Sequence, residues 1–239
     1  MNALREKLIE QYATHYGRGK GTAEPNAMAA PLHGHLDLMY RPLIGTLPHA
    51  ARVLDLGCGT GYLLSWLSRT SHLRLTGVDS STSQTDIARS SLAGVDVRCE
   101  DGLSFLREHP DHFHAIFCLD VLEHIPSGEL QQLLEAVRAA LIPGGFFVCK
   151  VPNAANLTGA QLRYYDLTHE RSFTFSSLIQ LLESVSLSEV AVVPVRVPHL
   201  SGRLRLVLER SLHRMLFWVC GDTDERVFTR TISVVSYRR

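Results

Sequence analysis

The chain has no C-x-x-C pair, no excess of either charge and no long apolar run. Its five cysteines (Cys58, Cys99, Cys118, Cys149 and Cys220) are odd in number and far apart, which argues against a disulfide framework and against a zinc site. Lys and Arg number 24, as do Asp and Glu, so the formal net charge is zero. A dedicated nucleic-acid binder carries an excess of basic residues, and no nucleic-acid partner is expected. No apolar stretch approaches the roughly 20 residues that a membrane-spanning helix needs. The opening MNALREKLIEQYATHYGRGKG lacks the apolar centre of a secretory signal, and a reducing, cytoplasmic setting is the expectation. Neither an internal repeat nor a low-complexity tract interrupts the sequence.

What is present is a globular composition. Hydrophobic residues make up 45% and charged residues 20% of the 239 positions, which excludes a disordered or fibrous chain and suffices for one core without staples. The runs RVLDL (52–56), LRLTGVD (73–79), VDVRCE (95–100), HAIFCLD (114–120) and FFVCKVP (146–152) read as strands covered on both faces. Within them Cys99, Cys118 and Cys149 read as small buried hydrophobes. Helices are predicted near 61–70, 83–92, 102–108 and 128–141; Pro143-Gly144-Gly145 ends the last. The alternation predicts an α/β fold, a doubly wound parallel sheet with helices on both faces. Then follow a polar loop (153–172), a helix (176–185), a strand (188–197), a basic helix-like segment (200–219) and a last strand (227–237). Residues 1–50 are read as a helical lid or extension containing His15-Tyr16-Gly17 and His33-Gly34-His35, and residues 51–239 as the main domain.

The first strand runs directly into Gly57-Cys58-Gly59-Thr60-Gly61, and a helix follows. A sharp reversal and a ligand in contact with the backbone both call for glycine there. The spacing is G-x-G-x-G, with Tyr62 where a dinucleotide fold carries its third glycine, which opposes a nicotinamide-dependent oxidoreductase as the alternative. The stretch from Val53 to Gly61, VLDLGCGTG, resembles the first motif of the class I S-adenosylmethionine-dependent methyltransferases. The resemblance covers about residues 50–195. It implies a Rossmann-like seven-stranded sheet of order 3-2-1-4-5-7-6, with its last strand antiparallel, and S-adenosyl-L-methionine as cofactor. It implies cofactor contacts from Asp55, Gly57, Cys58, Gly59 and Gly61. Asp79 and Ser80 follow the second strand, where a carboxylate can accept bonds from both ribose hydroxyls. Asp101 and Gly102 would lie beside the adenine amine, with Asp120 and Val121 at the same sheet edge and Val121 against the adenine ring. Plainer readings stand beside these: Asp79 and Asp101 as helix N-caps, and Val121 as core packing.

An acceptor hydroxyl benefits from a positioned general base. The segment RYYDLTHERSFT (163–174) follows the fifth strand closely enough to fold back over the pocket. His169 is read as the base, Asp166 as the group that orients it or the acceptor, and Asp120 as a further catalytic candidate. Arg163, Tyr164, Tyr165 and His124 are read as acceptor contacts. The plainer alternative makes Asp166 and Thr168 turn residues and His169 a loop anchor. The pattern R-x-x-D-x-T-H-x-x-x-F-T resembles bacterial methyltransferases of glycan and polysaccharide biosynthesis, which implies O-methylation of a sugar, glycan or related small-molecule hydroxyl. An aromatic or quinone-type metabolite is the alternative acceptor. The spacing of His and carboxylates carries no ligand signature, so no metal is expected. Residues 198–220 form a basic amphipathic insertion. Arg203, Arg205, Arg210 and Arg214 face a single acid, Glu209, and Leu204, Leu208, Leu212, Met215 and Val219 recur at helical spacing. That stripe is expected to cover the sheet or a homodimer partner, or to lie on the inner face of a membrane.

Overall fold

The computed structural model describes residues 7, 8, 10, 11, 29–221 and 225–239. In chain order its elements are α1 (Ala29–Ile44), β1 (Arg52–Leu56), α2 (Tyr62–Leu67), β2 (Arg74–Asp79), α3 (Thr82–Ser91), β3 (Asp96–Cys99), α4 (Gly102–Glu108) and β4 (Phe113–Leu119). A 3-10 turn (Leu122–His124) leads to α5 (Ser127–Ala140), β5 (Leu141–Pro152), α6 (Gly159–Tyr165), α7 (Phe175–Ser184), β6 (Leu187–Val192), α8 (Leu200–Val219) and β7 (Thr231–Arg238). The strands form one sheet of order β3-β2-β1-β4-β5-β7-β6. The first five pair in parallel, and β7 runs antiparallel to both β5 and β6. This is the order and the reversed strand that the motif resemblance implied.

Side chains alternate across the sheet as the two-residue period requires. Leu54, Ile116, Cys118, Phe147, Cys149 and Val151 point into one core with Leu106 of α4, Leu134 of α5 and Leu178 of α7. Val53, Ala115, Phe117, Phe146 and Val148 point into the other with Leu36, Met39, Tyr40 and Ile44 of α1 and Leu63 and Trp66 of α2. The second half of α1 is therefore a layer of the core. Trp66 Nε1 donates to Asp37 Oδ1 at 2.8 Å, and the buried Tyr40 and Ser233 hydroxyls lie 2.9 Å apart, tying α1 to α2 and β7. His33-Gly34-His35 lies on α1, whereas His15-Tyr16-Gly17 lies outside the described residues.

Several expectations needed correction. Cys118 and Cys149 are buried as read, but Cys99 is exposed, because β3 is the edge of the sheet. α5 stops at Ala140, before the Pro-Gly-Gly stretch. β5 starts at once at Leu141, and its register against β4 skips from Leu141 to Phe146, with Gly144 at φ 78°. The loop predicted at 153–172 contains α6; Gly159 opens it where any Cβ would sit 2.7 Å from the Asn153 carbonyl oxygen. β6 ends at Val192, five residues earlier than the strand read as 188–197.

α8 forms where predicted but does not cover the sheet with its apolar stripe. Leu204, Leu208, Leu212, Met215 and Val219 are exposed. The opposite side docks, through Leu206, Glu209, His213 and Phe217, spaced as one helical face. His213 Nε2 accepts from the Leu157 N–H at 2.8 Å, its ring stacks on Phe228, and Glu209 Oε1 accepts from Asn156 Nδ2 at 2.8 Å. A polar anchor on a mostly apolar helix is invisible to a hydrophobicity pattern.

Replacing Tyr40 by Phe should leave the Ser233 hydroxyl buried without that partner and cost about 1–2 kcal/mol in urea unfolding. Adding Ser233→Ala should recover part of the loss. An unchanged midpoint for Tyr40→Phe would mean that this hydroxyl pair does not hold α1 on the sheet.

Candidate active site

At the carboxyl edge of the sheet, the N–H groups of Gly57 and Cys58 both donate to the Val78 carbonyl, at 2.8 and 3.0 Å. Gly57 adopts φ +77°, and a Cβ there would lie 2.4 Å from Val121 Cγ2, so glycine is required both by the backbone and by its neighbour. The Gly59 N–H donates to Asp79 Oδ2 at 2.9 Å, and the Ser81 N–H donates to Asp79 Oδ1 at 2.9 Å. Asp79 thus joins the glycine turn to the start of α3. It is not the N-cap of α3: Ser81 is, accepting from the Gln84 N–H. Each Asp79 oxygen keeps a second acceptor site for a ligand.

These groups border a cavity of about 490 Å3, within the usual range for small-molecule sites. Of the expected cofactor contacts, Gly57, Cys58, Gly59, Asp79, Ser80, Asp101, Gly102, Asp120 and Val121 line it. Asp55 and Gly61 are not among the lining residues; Asp55 is buried within β1, and Gly61 precedes α2 at φ +83°. Asp101 also caps α4, accepting from the N–H of Ser104 at 2.9 Å, and Val121 also packs on the core, so each fills its plainer role while lining the cavity. Thr60, Tyr62 and Gln84 line the cavity too, without having been picked out as contacts. Their only sequence signal was adjacency to motif residues. The donor set fits an adenosyl cofactor: a carboxylate with spare acceptor sites for ribose hydroxyls, apolar walls for a purine, and sufficient volume. Gly57, Cys58, Gly59, Asp79, Ser80, Asp101 and Val121 would hold it.

The far end of the cavity is built from two distant segments. Asp120 sits at φ 58°, which turns the chain from β4 into the 3-10 turn, and its Oδ2 pairs with Lys150 Nζ at 2.6 Å. The N–H groups of Glu170 and Arg171 donate to the Glu123 carbonyl at 2.7 and 3.4 Å, clipping residues 166–171 onto that turn. Thr168 donates its N–H and its hydroxyl to Asp166 Oδ1 at 2.8 and 2.7 Å. With its one proton spent there, Thr168 Oγ1 accepts from His124 Nδ1 at 2.8 Å. His124 and Thr168 line the cavity, whereas His169 and Asp166 do not. His169 donates from Nδ1 to the Leu162 carbonyl at 2.9 Å, and its ring meets that of His124 edge-on at 4.6 Å. Arg163, Tyr164 and Tyr165 do not line the cavity either. Tyr164 and Tyr165 are 76% and 68% exposed, and Arg163 is half-buried with its guanidinium donating to the Glu170 carbonyl at 3.0 Å, because a helix formed where a loop folding inward was expected.

Burial, and then the Asp79 charge, pushes the Asp55 carboxyl up to about 8. Asp79 is raised by burial against the backbone N–H groups of Ser81 and Gly59, which lower it. Burial and the Asp120 charge hold Glu123 well above the carboxylate range. Burial and the neighbouring His169 lower His124 to about 4, so its ring is neutral near pH 7. Burial opposes the Lys150 charge, but the Asp120 charge and hydrogen bond, together with Tyr40 and Glu123, raise the ammonium overall.

The family model described as "Methyltransferase domain" matches residues 31–191. The chain belongs to this methyltransferase family, and its fold and motif are those of the class I, S-adenosylmethionine-dependent type. The ubiquinone biosynthesis O-methyltransferase of Xylella fastidiosa is 34% identical over 135 residues, which are 52% of this chain and 52% of that protein; the chain spans about half the length of this relative. A SAM-dependent methyltransferase from Archaeoglobus fulgidus has the same fold, with a TM-score of 0.68 at 16% identity over 95% of this chain and 99% of that one. Phosphoethanolamine N-methyltransferase 2 of Haemonchus contortus, solved with S-adenosyl-L-methionine, gives 0.63 at 17% identity over 100% of this chain and 60% of that one. None of these three names refers to a sugar acceptor.

An unfolded aspartate titrates near 4, and folded Asp55 near 8. The folded state therefore holds an extra proton between those values, and stability falls as pH rises through the window. A neutral His124 acts oppositely, but only between its folded value of about 4 and the unfolded histidine value of about 6.5. The melting temperature of the ligand-free protein should therefore drop from pH 6.5 to 8.5, and Asp55→Asn should flatten that drop. An equal slope in the variant would remove Asp55 as its source.

Proposed function

We propose that the protein transfers a methyl group from S-adenosyl-L-methionine to a hydroxyl of an apolar, aromatic or quinone-type acceptor. The observation that carries this reading is a single cavity with the Asp79-braced glycine turn at one end and His124 at the other. When bound, the cofactor would supply a methyl on a sulfonium for transfer to the acceptor oxygen, whose proton would pass to His124, neutral near pH 7, or to water. Asp79 holds the ribose, and Asp101 and Val121 flank the base. The Asp166–Thr168–His124 chain fixes the ring of His124 at the acceptor end, and His169 and Asp120 act beside it. Leu103, Ile125, Pro126 and Leu133 add apolar surface to the cavity wall, which suits a flat acceptor better than a sugar. The Xylella relative's name, with its reference to ubiquinone biosynthesis, supports the same acceptor class. α1 belongs to the core of the catalytic domain, and Glu10 accepts from the Ser83 N–H at 2.9 Å, next to the Asp79 turn.

An acceptor of this kind is often lipid-soluble, and the exposed face of α8 suits a membrane surface. Leu204, Leu208, Leu212, Met215 and Trp218 are exposed, and Arg203, Arg205, Arg210 and Arg214 flank them with charge complementary to anionic lipid. No helix among the described residues is long and apolar enough to cross a membrane.

Calorimetric titration with S-adenosylhomocysteine should give one site, and NADH should give none. Asp79→Ala should weaken that site about 10- to 100-fold, as expected for lost hydrogen bonds to a charged group. His124→Gln should lower turnover while leaving the affinity within about twofold. A silent titration with folded protein would overturn the reading. In sedimentation with vesicles, the protein should follow those containing anionic lipid and stay in solution with purely zwitterionic ones. Replacing Leu208 and Leu212 by Ser should release it; equal sedimentation by that variant would exclude α8 as the contact.

A further inference from the structure

We infer that His114 is an acid-operated latch on β1: its neutral ring holds the start of that strand against β4, and a proton on the ring releases it. The latch lies at the edge of the sheet opposite the cavity and does not depend on the methyltransferase reading. The Arg52 N–H, at the first residue of β1, donates to His114 Nδ1 at 3.2 Å. The nitrogen that accepts this bond must carry a lone pair, so the proton of the neutral imidazole sits on Nε2. Arg52 Nε donates to the His112 carbonyl across the same junction. The register of β1 against β4 begins one residue later, with Val53 opposite Ala115. On that side Arg52 is therefore held by two bonds outside the ladder, and one of them needs an unprotonated ring.

The groups packed around His114 resist a further positive charge. Burial, and then the Arg52 guanidinium, lower its imidazole below the ordinary histidine value. Burial, Arg52, His109 and His114 act on His112 in the same direction. The rings of His109 and His112 meet edge-on at 5.4 Å, which puts three imidazoles and a guanidinium in one corner. β2 adds Arg74, opposite Arg52 in the register. The acid of the turn before β4, Asp111, is paired with Arg238 of β7 at 2.6 Å, and from β5 the backbone of Gly145 lies beside the His114 carbonyl. Arginine cannot give up its charge, so the conflict is resolved by keeping His114 neutral.

An unfolded histidine titrates near 6.5, and folded His114 titrates lower. Between those two values the unfolded chain binds a proton that the folded one refuses. The stability is therefore fully present above about pH 6.5 and is lost as pH falls. Each pH unit over which the ring stays neutral lowers the folding constant by up to about tenfold. Once the ring is charged, Nδ1 is itself a donor and faces the Arg52 N–H donor to donor. An N–H left without an acceptor is costly, so the start of β1 parts from β4 and takes water instead. β1 is the strand that leads into the glycine turn, and acid loosens it from the end far from that turn.

Amide hydrogen exchange of the ligand-free protein, followed residue by residue by NMR, reads the latch directly. The protection factor of the Arg52 N–H should fall from about pH 7.5 to about pH 5.5 by at least about fivefold more than that of Leu54 in the middle of the same strand. Urea unfolding over the same range supplies the second measurement. His33, His35, His112 and His124 are lowered as well, so the contribution of His114 is isolated by subtraction. His114→Asn puts an amide oxygen close to the position of Nδ1 without a titrating group. It should flatten the dependence of the logarithm of the folding constant on pH by about half to one proton. His49→Asn, at an exposed histidine of the same edge, should leave that slope unchanged. Equal changes in protection at Arg52 and Leu54, or a His114→Asn slope equal to that of the unaltered protein, would overturn the inference. If His114→Asn does not fold, the exchange at Arg52 decides alone.

Discussion

The carboxylate of Asp79 is the constraint on which the site depends. One oxygen holds the Gly59 N–H and the other the Ser81 N–H, so a single side chain joins the turn after β1 to the turn after β2. With the two turns locked, the glycines keep their positive φ values and Val121 can close against Gly57. The arrangement has a cost: Asp55 is buried close enough to Asp79 for each ionisation to oppose the other. A carboxyl kept protonated toward neutral pH in the strand that leads into the glycine turn is a local strain carried beside the site.

The two ends of the cavity differ in construction. The glycine end is local, made of residues at the carboxyl ends of adjacent parallel strands, where open α/β sheets form ligand sites. The other end is a long-range assembly. Residues 120–126 and 166–171 meet through the Glu123 carbonyl, which captures two N–H groups from the later segment, the His124–Thr168 bond and the Arg171 guanidinium on the Ile125 carbonyl. The imidazole that reaches the cavity is consequently His124 on the turn, while His169 stands behind it.

A similar division governs the carboxyl-terminal third. Asn153 donates to the carbonyls of Val227 and Thr229, and Asn156 to the carbonyl of Phe228 and to Glu209. These buried amides gather the segment after β5, the inner face of α8 and the approach to β7 into one polar junction. With the helix anchored by this junction, its larger apolar face is left outward.

The strand order and the reversed last strand were implied by the motif resemblance, whereas the sequence by itself determined the alternating strands and helices and the glycine turn. Those features follow from short-range rules: two-residue alternation, helix stops, and a backbone bend that only glycine tolerates. The VLDLGCGTG match and Asp79 likewise located the glycine-turn part of the cavity, because its residues sit at fixed offsets from strand ends. Only the tertiary structure decided the orientation of α8, the helix within residues 159–165 and the meeting of Glu123, His124 and His169. Each depends on contacts between segments tens of residues apart, made by single hydrogen bonds that leave no periodic trace in the chain.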